Sequence, residues 1–324
     1  MSLTNDNWYK MIRAVTQLGR VLTGRQMAGR NLTVFSDDVF LVSYPRSGNT
    51  WTRFLIGNLI YQSEPVTFAN IESRIPEIYF NPDRVMRRLA RPRILKSHEC
   101  FQPHYRRVIY IVRDPRDVAV SFYHHNIKAG NIPDDYPMES FVPRFINAEF
   151  DTKWGSWADH VLSWLLLRQN RPGFILLRYE SMKQAPQQEL ARVAGFLREH
   201  SFREIDQHPE KLQKAIDLSS PERMRNLEKE QSADWVLTRK TRPDKPFVRT
   251  AKAGGWKSVL PPGSIATIEG AWGSLMKILG YALVSDAVEA APAFPRLPIS
   301  IPNQPPLHSH SKPIPDLGDS GTDI

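Results

Sequence analysis

One stretch of the sequence, residues 39–61, constrains the fold of this chain more than any other. It reads VFLVSYPRSGNTWTRFLIGNLIY, which predicts a short apolar strand, a tight polar loop and a helix that begins near Thr50. Gly48 permits a left-handed backbone in the loop, and the N–H groups and dipole at the start of the helix favour an anion there. Polar side chains that can contact such an anion follow closely: Arg46, Ser47, Asn49, Thr50 and Thr52. The stretch therefore predicts a P-loop-like, phosphate-binding strand–loop–helix.

The loop does not end as the loop of a nucleoside triphosphatase does. The Walker pattern needs a second glycine followed by Lys-Ser/Thr, whereas the first helical turn here reads Thr50-Trp51-Thr52. The missing lysine argues against a magnesium-dependent kinase or hydrolase, which we keep as one alternative. Trp51 stands where an aromatic ring can stack on a nucleotide base.

The middle of the chain alternates strand and helix patterns. Short, nearly continuous apolar runs predict four strands, at 39–44, 93–97, 107–112 and 174–179. Helical patterns follow them at 50–62, 116–128, 157–170 and 186–199. This alternation predicts an α/β fold with a mostly parallel sheet flanked by helices. In such folds ligands bind beyond the carboxyl ends of the strands.

Two further clusters of polar residues lie at predicted strand ends. In VRDPRDVAVSFYHH, residues 112–125, Arg113 ends a strand and suits a bidentate contact with a phosphate, and Ser121 lies on the following helix. In LKSHE, residues 95–99, Lys96 and His98 project to the same side of an extended segment. A histidine beside a cation suits the role of general base. The alternative for the first cluster is a local salt bridge with a helix cap, and the alternative for His98 is a structural histidine at a strand end.

Taken together, the three clusters resemble those of the cytosolic-type sulfotransferases. That family transfers a sulfuryl group from 3′-phosphoadenosine 5′-phosphosulfate (PAPS) and releases adenosine 3′,5′-bisphosphate (PAP). YPRSGNTW is similar to the family's 5′-phosphosulfate loop, RDPRDVAVSFYHH to its 3′-phosphate segment, and LKSH to the strand that carries its catalytic histidine. Two weaker similarities follow, LRYESMKQAP near the adenine and FVRTAKAGGWKSVL in a late loop that closes on the nucleotide. The resemblance runs from about residue 38 to 282.

The resemblance implies three catalytic residues. His98 would take the proton from an acceptor hydroxyl or amine. Arg46 and Lys96 would stabilise the charge that grows on the leaving phosphate. A sulfuryl group carries less charge than a terminal phosphoryl group, and the sequence shows no His/Asp/Glu set with metal spacing, so we expect no metal.

The resemblance also implies a donor site. Arg113, Ser121 and Arg249 would bind the 3′-phosphate, while Trp51 would stack on adenine close to Tyr179. The other implied contacts with the nucleotide come from Arg46, Ser47, Gly48, Asn49, Thr50, Ser219 and Ser220.

The chain departs from the family pattern at several positions. Arg46 stands where lysine is common, and its planar fork places the charge differently. Asn49 stands where threonine is common. The late loop usually reads Arg-Lys-Gly, but here it reads Arg249-Thr250-Ala251, so only Arg249 carries over. No clear copy of the dimer motif of animal members follows, which leaves the oligomeric state open.

Composition bounds the partners and the compartment. With 43 basic and 34 acidic residues the net charge is +9, which suits an anionic ligand, nucleic acid or an acidic membrane surface. A basic protein that binds nucleic acid or a membrane is the second alternative. The scattered basic residues and the absence of a nucleic-acid motif argue against it. Cys100 is the one cysteine and excludes an internal disulfide. We therefore expect a cytoplasmic protein that acts on a small-molecule acceptor.

The two ends of the chain differ from its middle. Residues 1–30 predict a basic amphipathic segment that packs on its own domain or, alternatively, lies on a membrane. From about residue 290 the chain carries eight of its 26 prolines and no periodicity, which predicts an extended tail. The predicted divisions are thus an N-terminal segment at 1–30, a sulfotransferase domain at 31–285 and a proline-rich tail at 286–324.

The acceptor is the least constrained part of the prediction. Its pocket is expected in regions 64–92 and 128–156, which are rich in aromatic residues: Phe68, Tyr79, Phe80, Tyr136, Phe141 and Trp154. This aromatic density predicts a small, partly apolar acceptor such as a phenol, an alcohol or a lipid-like molecule. The alternative is that these residues form part of the core.

Overall fold

The computed structural model describes residues 27–285, and within them lies one parallel sheet. Its strands are β1 (Val39–Ser43), β2 (Ile94–Ser97), β3 (Arg107–Val112) and β4 (Phe174–Arg178), in the order β2-β1-β3-β4. Every neighbouring pair is parallel; Val39, for example, lies opposite Ile94 on one side and Arg107 on the other. The predicted α/β fold with a mostly parallel sheet is confirmed.

Helices connect and cover the strands. In chain order they are α1 (Asn49–Ile60), α2 (Ile71–Arg74), α3 (Asp83–Met86), α4 (Pro115–Ala129), α5 (Met138–Ile146), α6 (Trp157–Arg168), α7 (Tyr179–Gln184), α8 (Pro186–His200), α9 (Pro209–Leu218), α10 (Pro221–Gln231) and α11 (Pro262–Ile278). Short 3₁₀ turns lie at Gly29–Asn31 and Gly255–Ser258. Within the described range, no helix is long and apolar enough to cross a membrane.

The sheet is covered on both faces, and this explains why its strands read as continuous apolar runs. Successive side chains of a strand point to opposite faces. In β1, Phe40 and Val42 belong to one core cluster, whereas Val39 and Leu41 belong to another. The first cluster includes residues of α4, α5, α6 and α11, and the second includes residues of α1, α8 and α9. The side chains of β1, β2 and β3 are almost all buried, and those of the edge strand β4 are mostly half-buried, so the strands carry few polar residues.

Local signals in the sequence set where α4 and α6 begin and end. Asp114 caps α4, because its carboxylate accepts a hydrogen bond from the Arg116 backbone N–H at 2.9 Å, and Pro115 occupies the first turn. The helix ends at Ala129 and is followed by Gly130, whose φ of 75° is typical of a C-terminal cap. Ser156 and Asp159 form a capping box at the start of α6. These caps fix the direction in which each helix leaves its loop.

The predicted divisions of the chain are only partly open to examination. Residues 1–26, which hold most of the predicted amphipathic segment, and the predicted tail at 286–324 lie outside the described residues. The boundaries near 30 and 285 remain predictions.

Candidate active site

The residues predicted to form the site follow the carboxyl ends of the strands. The polar loop follows β1, His98 follows β2, Arg113 follows β3, and Tyr179 follows β4. Parallel strands bring these ends to one edge of the sheet. There they line a single cavity of about 910 Å³.

Most of the predicted site residues line this cavity. They are Arg46, Gly48, Asn49, Thr50, Trp51, Lys96, His98, Arg113, Ser121, Tyr179 and Arg249. The predicted residues that do not line it are Ser47, Ser219 and Ser220. Ser47 and Ser219 are fully buried, and Ser220 caps α10 beside a smaller cavity.

The loop after β1 has the backbone expected of an anion-binding turn. Arg46 has a φ of 68° and Gly48 a φ of 99°, both in the left-handed region, and α1 begins at the next residue. Alternation of this kind aims backbone N–H groups into one concavity, and the N–H groups of the first helical turn have no partner within the helix. The Asn49 amide holds the loop to β1 by donating to the Ser43 hydroxyl at 3.2 Å. The loop is thus prearranged for an anion.

Three arginines converge beside the loop. Arg46 donates from Nε to the Ser121 hydroxyl at 3.2 Å, and Arg113 donates from Nη1 to the Arg46 carbonyl at 3.3 Å. Burial, followed by the positive charges of Arg113 and Arg249, lowers the pKa of Arg46 to about 10. Like charges held this close favour a bound anion that balances them.

Two aromatic rings lie beside the loop and Arg113. The Arg113 guanidinium lies 4.2 Å from the centroid of the Tyr179 ring, and the Trp51 ring meets Tyr179 edge-on at 5.7 Å. The Trp51 indole N–H donates to the Ser219 carbonyl at 3.0 Å, and Lys183 Nζ lies 4.5 Å from the Trp51 ring. Ser219 therefore supports this wall through its backbone, while its hydroxyl donates to the Ala215 carbonyl.

His98 is held in one tautomer. Its Nδ1 lies 2.7 Å from the Ser43 carbonyl oxygen. Because a carbonyl oxygen can only accept, Nδ1 carries the proton and Nε2 keeps its lone pair. Burial, followed by the nearby charge of Lys96, lowers the pKa of His98 well below the usual value. The ring is therefore neutral near pH 7 and can accept a proton at Nε2.

The backbone of His98 is also fixed. Its N–H donates to the Tyr79 hydroxyl at 3.2 Å, and its carbonyl accepts from His160 Nε2 at 3.0 Å. His160 in turn accepts from the Tyr110 hydroxyl at 2.8 Å. These bonds hold the end of β2 and its histidine at the cavity wall.

Lys96 is not free within the cavity. Its Nζ lies 2.6 Å from Glu77 Oε1, and both side chains are almost fully buried. Burial lowers the pKa of Lys96, while the Glu77 charge acts in the opposite direction. The sequence interpretation missed Glu77.

The late loop is attached to the site through α4. Asp117 accepts hydrogen bonds from the backbone N–H groups of Gly254 at 2.7 Å and Trp256 at 3.0 Å. This clamp brings the preceding segment, residues 247–251, to the cavity wall. Arg249 lies there, and Thr250 and Ala251 line the wall beside it.

The aromatic residues predicted for the acceptor divide into two groups. Tyr79, Phe80 and Trp154 line the cavity. Phe68 and Phe141 are instead buried core residues, and Tyr136 packs against the core, so the prediction that they line the pocket is wrong.

Several cavity-lining residues escaped the sequence interpretation. They are Glu77, Phe122, His125, Phe150 and Phe247. His125 had a usable signal, because it lies four residues after Ser121 on α4 and therefore shares its face. Phe247 lies under Arg46, whose guanidinium is 4.8 Å from the ring centroid.

Among residues 27–285, no group of three or more His, Cys, Asp or Glu side chains is placed to hold a metal ion. The positive groups of the cavity are arginine and lysine side chains.

Comparisons with known proteins agree with this geometry. The family model described as "Sulfotransferase domain" matches residues 36–280. Sulfotransferase 1E1 of Bos taurus is 30% identical over 241 residues, which are 68% of this chain and 77% of that protein. Sulfotransferase 1B1 of Canis lupus familiaris is 27% identical over 238 residues, again 68% of this chain and 77% of that protein.

Solved structures share the fold. Mouse sulfotransferase SULT7A1 complexed with PAP has a TM-score of 0.61 at 24% identity, over 77% of this chain and 87% of the other. Retinol dehydratase in complex with androsterone and the inactive cofactor PAP has a TM-score of 0.62 at 18% identity, over 80% and 85% of the two chains. Since the family model covers well over half of the sequence, the chain belongs to the sulfotransferase family, whose sulfuryl donor is PAPS.

Proposed function

We propose that the cavity holds PAPS along the loop after β1 and the arginine cluster, and holds a small acceptor at His98. The observation that carries this proposal is the pairing of charges with a base in one cavity. Arg46, Arg113 and Arg249 approach one another, while His98, whose Nε2 is unprotonated, lines the same cavity. An anionic donor and a proton-bearing acceptor need these two features together.

The chemical step follows from this arrangement. Nε2 of His98 takes the proton of the acceptor hydroxyl or amine as the acceptor atom attacks sulfur. The bond from sulfur to the bridging oxygen breaks, and the electron pair stays on the phosphate of PAP. The loop N–H groups, Arg46 and Lys96 stabilise that charge. Lys96 does so while it is paired with Glu77 on its other side.

We assign recognition of the 3′-phosphate to Arg113, Ser121 and Arg249. Arg46 belongs to the same cluster, because its side chain reaches Ser121. Adenine is assigned to the wall formed by Trp51 and Tyr179. The remaining loop contacts come from the backbone of residues 47–50. Ser219 acts through its carbonyl, and Ser220 borders the smaller cavity next to this wall.

We propose a small acceptor with an apolar body and a reactive hydroxyl or amine. Tyr79, Phe80, Phe122, Phe150 and Trp154 give the cavity aromatic walls. The neighbouring retinol dehydratase structures hold androsterone or retinol together with PAP, which supports an acceptor of this kind.

We further propose that the chain works in the cytoplasm and binds no nucleic acid, with contact between residues 1–30 and a membrane surface kept as the less favoured alternative. Its similarity to cytosolic sulfotransferase 12 of Arabidopsis thaliana, 28% identical over 269 residues, supports this compartment.

The test compares two nucleotides and then measures transfer. PAP should bind the protein about 10- to 150-fold more tightly than AMP in calorimetry, because a hydrogen bond to a charged group is worth about 1.5–3 kcal/mol. Arg113→Ala should remove most of that preference. Labelled sulfate should then pass from PAPS to a phenol in excess EDTA. Equal affinities for PAP and AMP would contradict the assignment of the 3′-phosphate site.

A further inference from the structure

Glu77 is an acidic side chain of the cavity wall, and the proposed mechanism gives a role to only one of its two carboxylate oxygens, the one that pairs with Lys96. It lies in an extended segment beside β2, where the Ile78 N–H donates to the Lys96 carbonyl at 3.1 Å and the Lys96 N–H donates to the Pro76 carbonyl at 2.9 Å. Glu77 and Lys96 are therefore neighbours in a parallel bridge. This pairing places their side chains together at the cavity.

The two carboxylate oxygens of Glu77 have different surroundings. Oε1 accepts the Lys96 ammonium at 2.6 Å. Oε2 is buried and has no hydrogen-bond partner within residues 27–285. The residue is 4% exposed and lines the cavity. A buried charged oxygen without a partner is costly, and such an atom in a folded protein calls for an explanation.

The chemistry of the missing partner is narrow. A carboxylate oxygen only accepts, so the partner must carry an N–H or O–H group. The phosphates and sulfate of the donor are acceptors and carry the same charge as Glu77, which excludes them. Tyr79 and Phe80, which follow Glu77 in sequence, line the cavity with it, and His98 lies two residues after Lys96. The acceptor is the molecule that meets all of these residues.

We propose that Glu77 accepts a hydrogen bond from a second polar group of the acceptor, distinct from the group that reacts at His98. To do so, its carboxylate turns and brings Oε2, buried and without a partner among the described residues, to the cavity surface. Glu77 is thereby a specificity-determining residue, and the enzyme selects acceptors that carry two hydrogen-bond donors. This inference rests on the proposed function, because it uses the same cavity and the same acceptor end. Lys96 holds the other oxygen, Oε1, at 2.6 Å.

The experiment uses two sets of matched phenols. One set is 2-, 3- and 4-hydroxymethylphenol, whose side group can donate a hydrogen bond. The other is 2-, 3- and 4-hydroxybenzaldehyde, whose side group can only accept one. The measured quantity is the ratio of kcat/KM for the alcohol to that for the aldehyde. Effects on Lys96 or on the donor act on both members of a pair and cancel in this ratio.

The variants are Glu77→Gln, Glu77→Asp and, as a matched control on the exposed surface, Glu204→Gln. In Glu77→Gln the amide oxygen can keep Lys96 while the NH₂ group faces the cavity, so the preference should turn toward the aldehyde. For at least one ring position we expect the ratio to fall about tenfold or more relative to wild type. Glu77→Asp should keep the direction of the preference, and Glu204→Gln should leave the ratio unchanged.

Melting temperature and PAP affinity are measured on each preparation to confirm a folded donor site. A ratio that is the same in wild type and in folded Glu77→Gln, at all three ring positions, would overturn the inference. Calorimetry measures how both sets of phenols bind the PAP-bound protein. This separates failure of the Glu77 inference from failure of the proposed function. If wild type transfers no sulfate to any phenol, the proposed acceptor class fails, whereas an alcohol preference in binding that Glu77→Gln removes still supports Glu77.

Discussion

At the scale of single residues, His98 is held in the cavity wall with one ring nitrogen, Nε2, left without a proton. The Ser43 carbonyl fixes the proton on Nδ1, and the backbone bonds to Tyr79 and His160 fix the position of the residue. No partner for Nε2 lies in the described part of the chain, as a general base requires.

His98→Ala should leave PAP binding nearly intact, because the donor contacts assigned above come from the loop and the arginines. Turnover should fall by roughly 10²–10⁴, the usual contribution of a positioned proton acceptor. Steady-state rates, PAP affinity and melting temperature measured on one preparation check this. His104→Ala, at an exposed position, is the control. A folded His98→Ala protein with near wild-type turnover would place the base elsewhere.

The pH dependence of the rate follows from the lowered pKa of His98. The neutral ring is the active form, and protonation inactivates it. Because the pKa of His98 lies well below the usual value, the imidazole ring should stay neutral as the pH falls from 8 to 6.5. We expect kcat/KM for an alcohol acceptor to remain level over that interval and to decline only in stronger acid. An acid limb centred near pH 6.5 that disappears in His98→Ala would contradict this.

At the scale of elements, the loop between β1 and α1 depends on Gly48. Its φ of 99° is unfavourable for any residue with a Cβ. A Cβ there would also lie 2.4 Å from Tyr179 Cδ2, in the ring assigned to the adenine wall. Gly48→Ala should therefore distort both the loop and the wall, and PAP affinity should fall by about tenfold or more, the loss of one hydrogen bond to a charged group.

Gly130→Ala is the matched control for this substitution. Gly130 has a φ of 75°, but no atom lies within 4 Å of the added Cβ. It should lose about 1–2 kcal/mol of stability through backbone strain alone, and PAP affinity should not change. Calorimetry and thermal melts compare the two variants. If both lose PAP affinity equally, the contact with Tyr179 is not what makes Gly48 necessary.

The sequence predicted the strands well because their signal is local. All four predicted strands match to within one residue, since burial on both faces leaves an unbroken apolar run. Helix α10 reads PERMRNLEKEQ, whose few apolar residues contact a small third cluster, and it was not predicted. Phe68, Phe80 and Phe141 are all aromatic residues in the regions predicted for the acceptor pocket, and nothing local in the sequence distinguishes them. The tertiary fold places Phe80 in the cavity wall and the other two in the core.

The donor half of the site was easier to predict than the acceptor half for a similar reason. The donor residues follow strand ends in recognisable order. Glu77 lies in an irregular segment, and its meaning depends on Lys96, which comes from a different element. An ion pair between side chains from two distant segments produces no periodic pattern in a single sequence.

At the scale of the whole molecule, several histidines are held neutral together. Burial lowers the pKa of His160 to about 4 and that of His125 to about 3, and His98 is lowered as well. Between these values and about 6.5 the unfolded chain binds more protons than the folded chain. The free energy of unfolding therefore decreases as pH falls below about 6.5.

Urea unfolding measured between pH 7 and pH 5 should show this loss of stability. Each such histidine contributes up to about 1.4 kcal/mol per pH unit. His160→Gln, which cannot take up a proton in this range, should show a weaker dependence on pH. A midpoint that rises as the solution is acidified from pH 7 to pH 5 would contradict the shared direction of these shifts.

The boundary predicted near residue 285 has a direct test at the end of the domain. The backbone N–H groups of Val284 and Ser285 donate to the buried carboxylate of Glu269, and the Tyr281 hydroxyl donates to Glu180 at 3.1 Å. A chain that ends at Ser285 keeps these contacts and all the cavity-lining residues found within 27–285. Its melting temperature and PAP affinity should equal those of the full chain.

A chain that ends at Gly280 is the comparison. It loses the buried Tyr281 ring and the N–H groups that satisfy Glu269, and removal of one buried aromatic side chain typically costs about 3–5 kcal/mol. Since single domains are stable by only about 5–15 kcal/mol, this chain should melt far below the longer one. If the chain ending at Ser285 also loses stability or PAP affinity, residues 286–324 belong to the working enzyme and the predicted boundary is wrong.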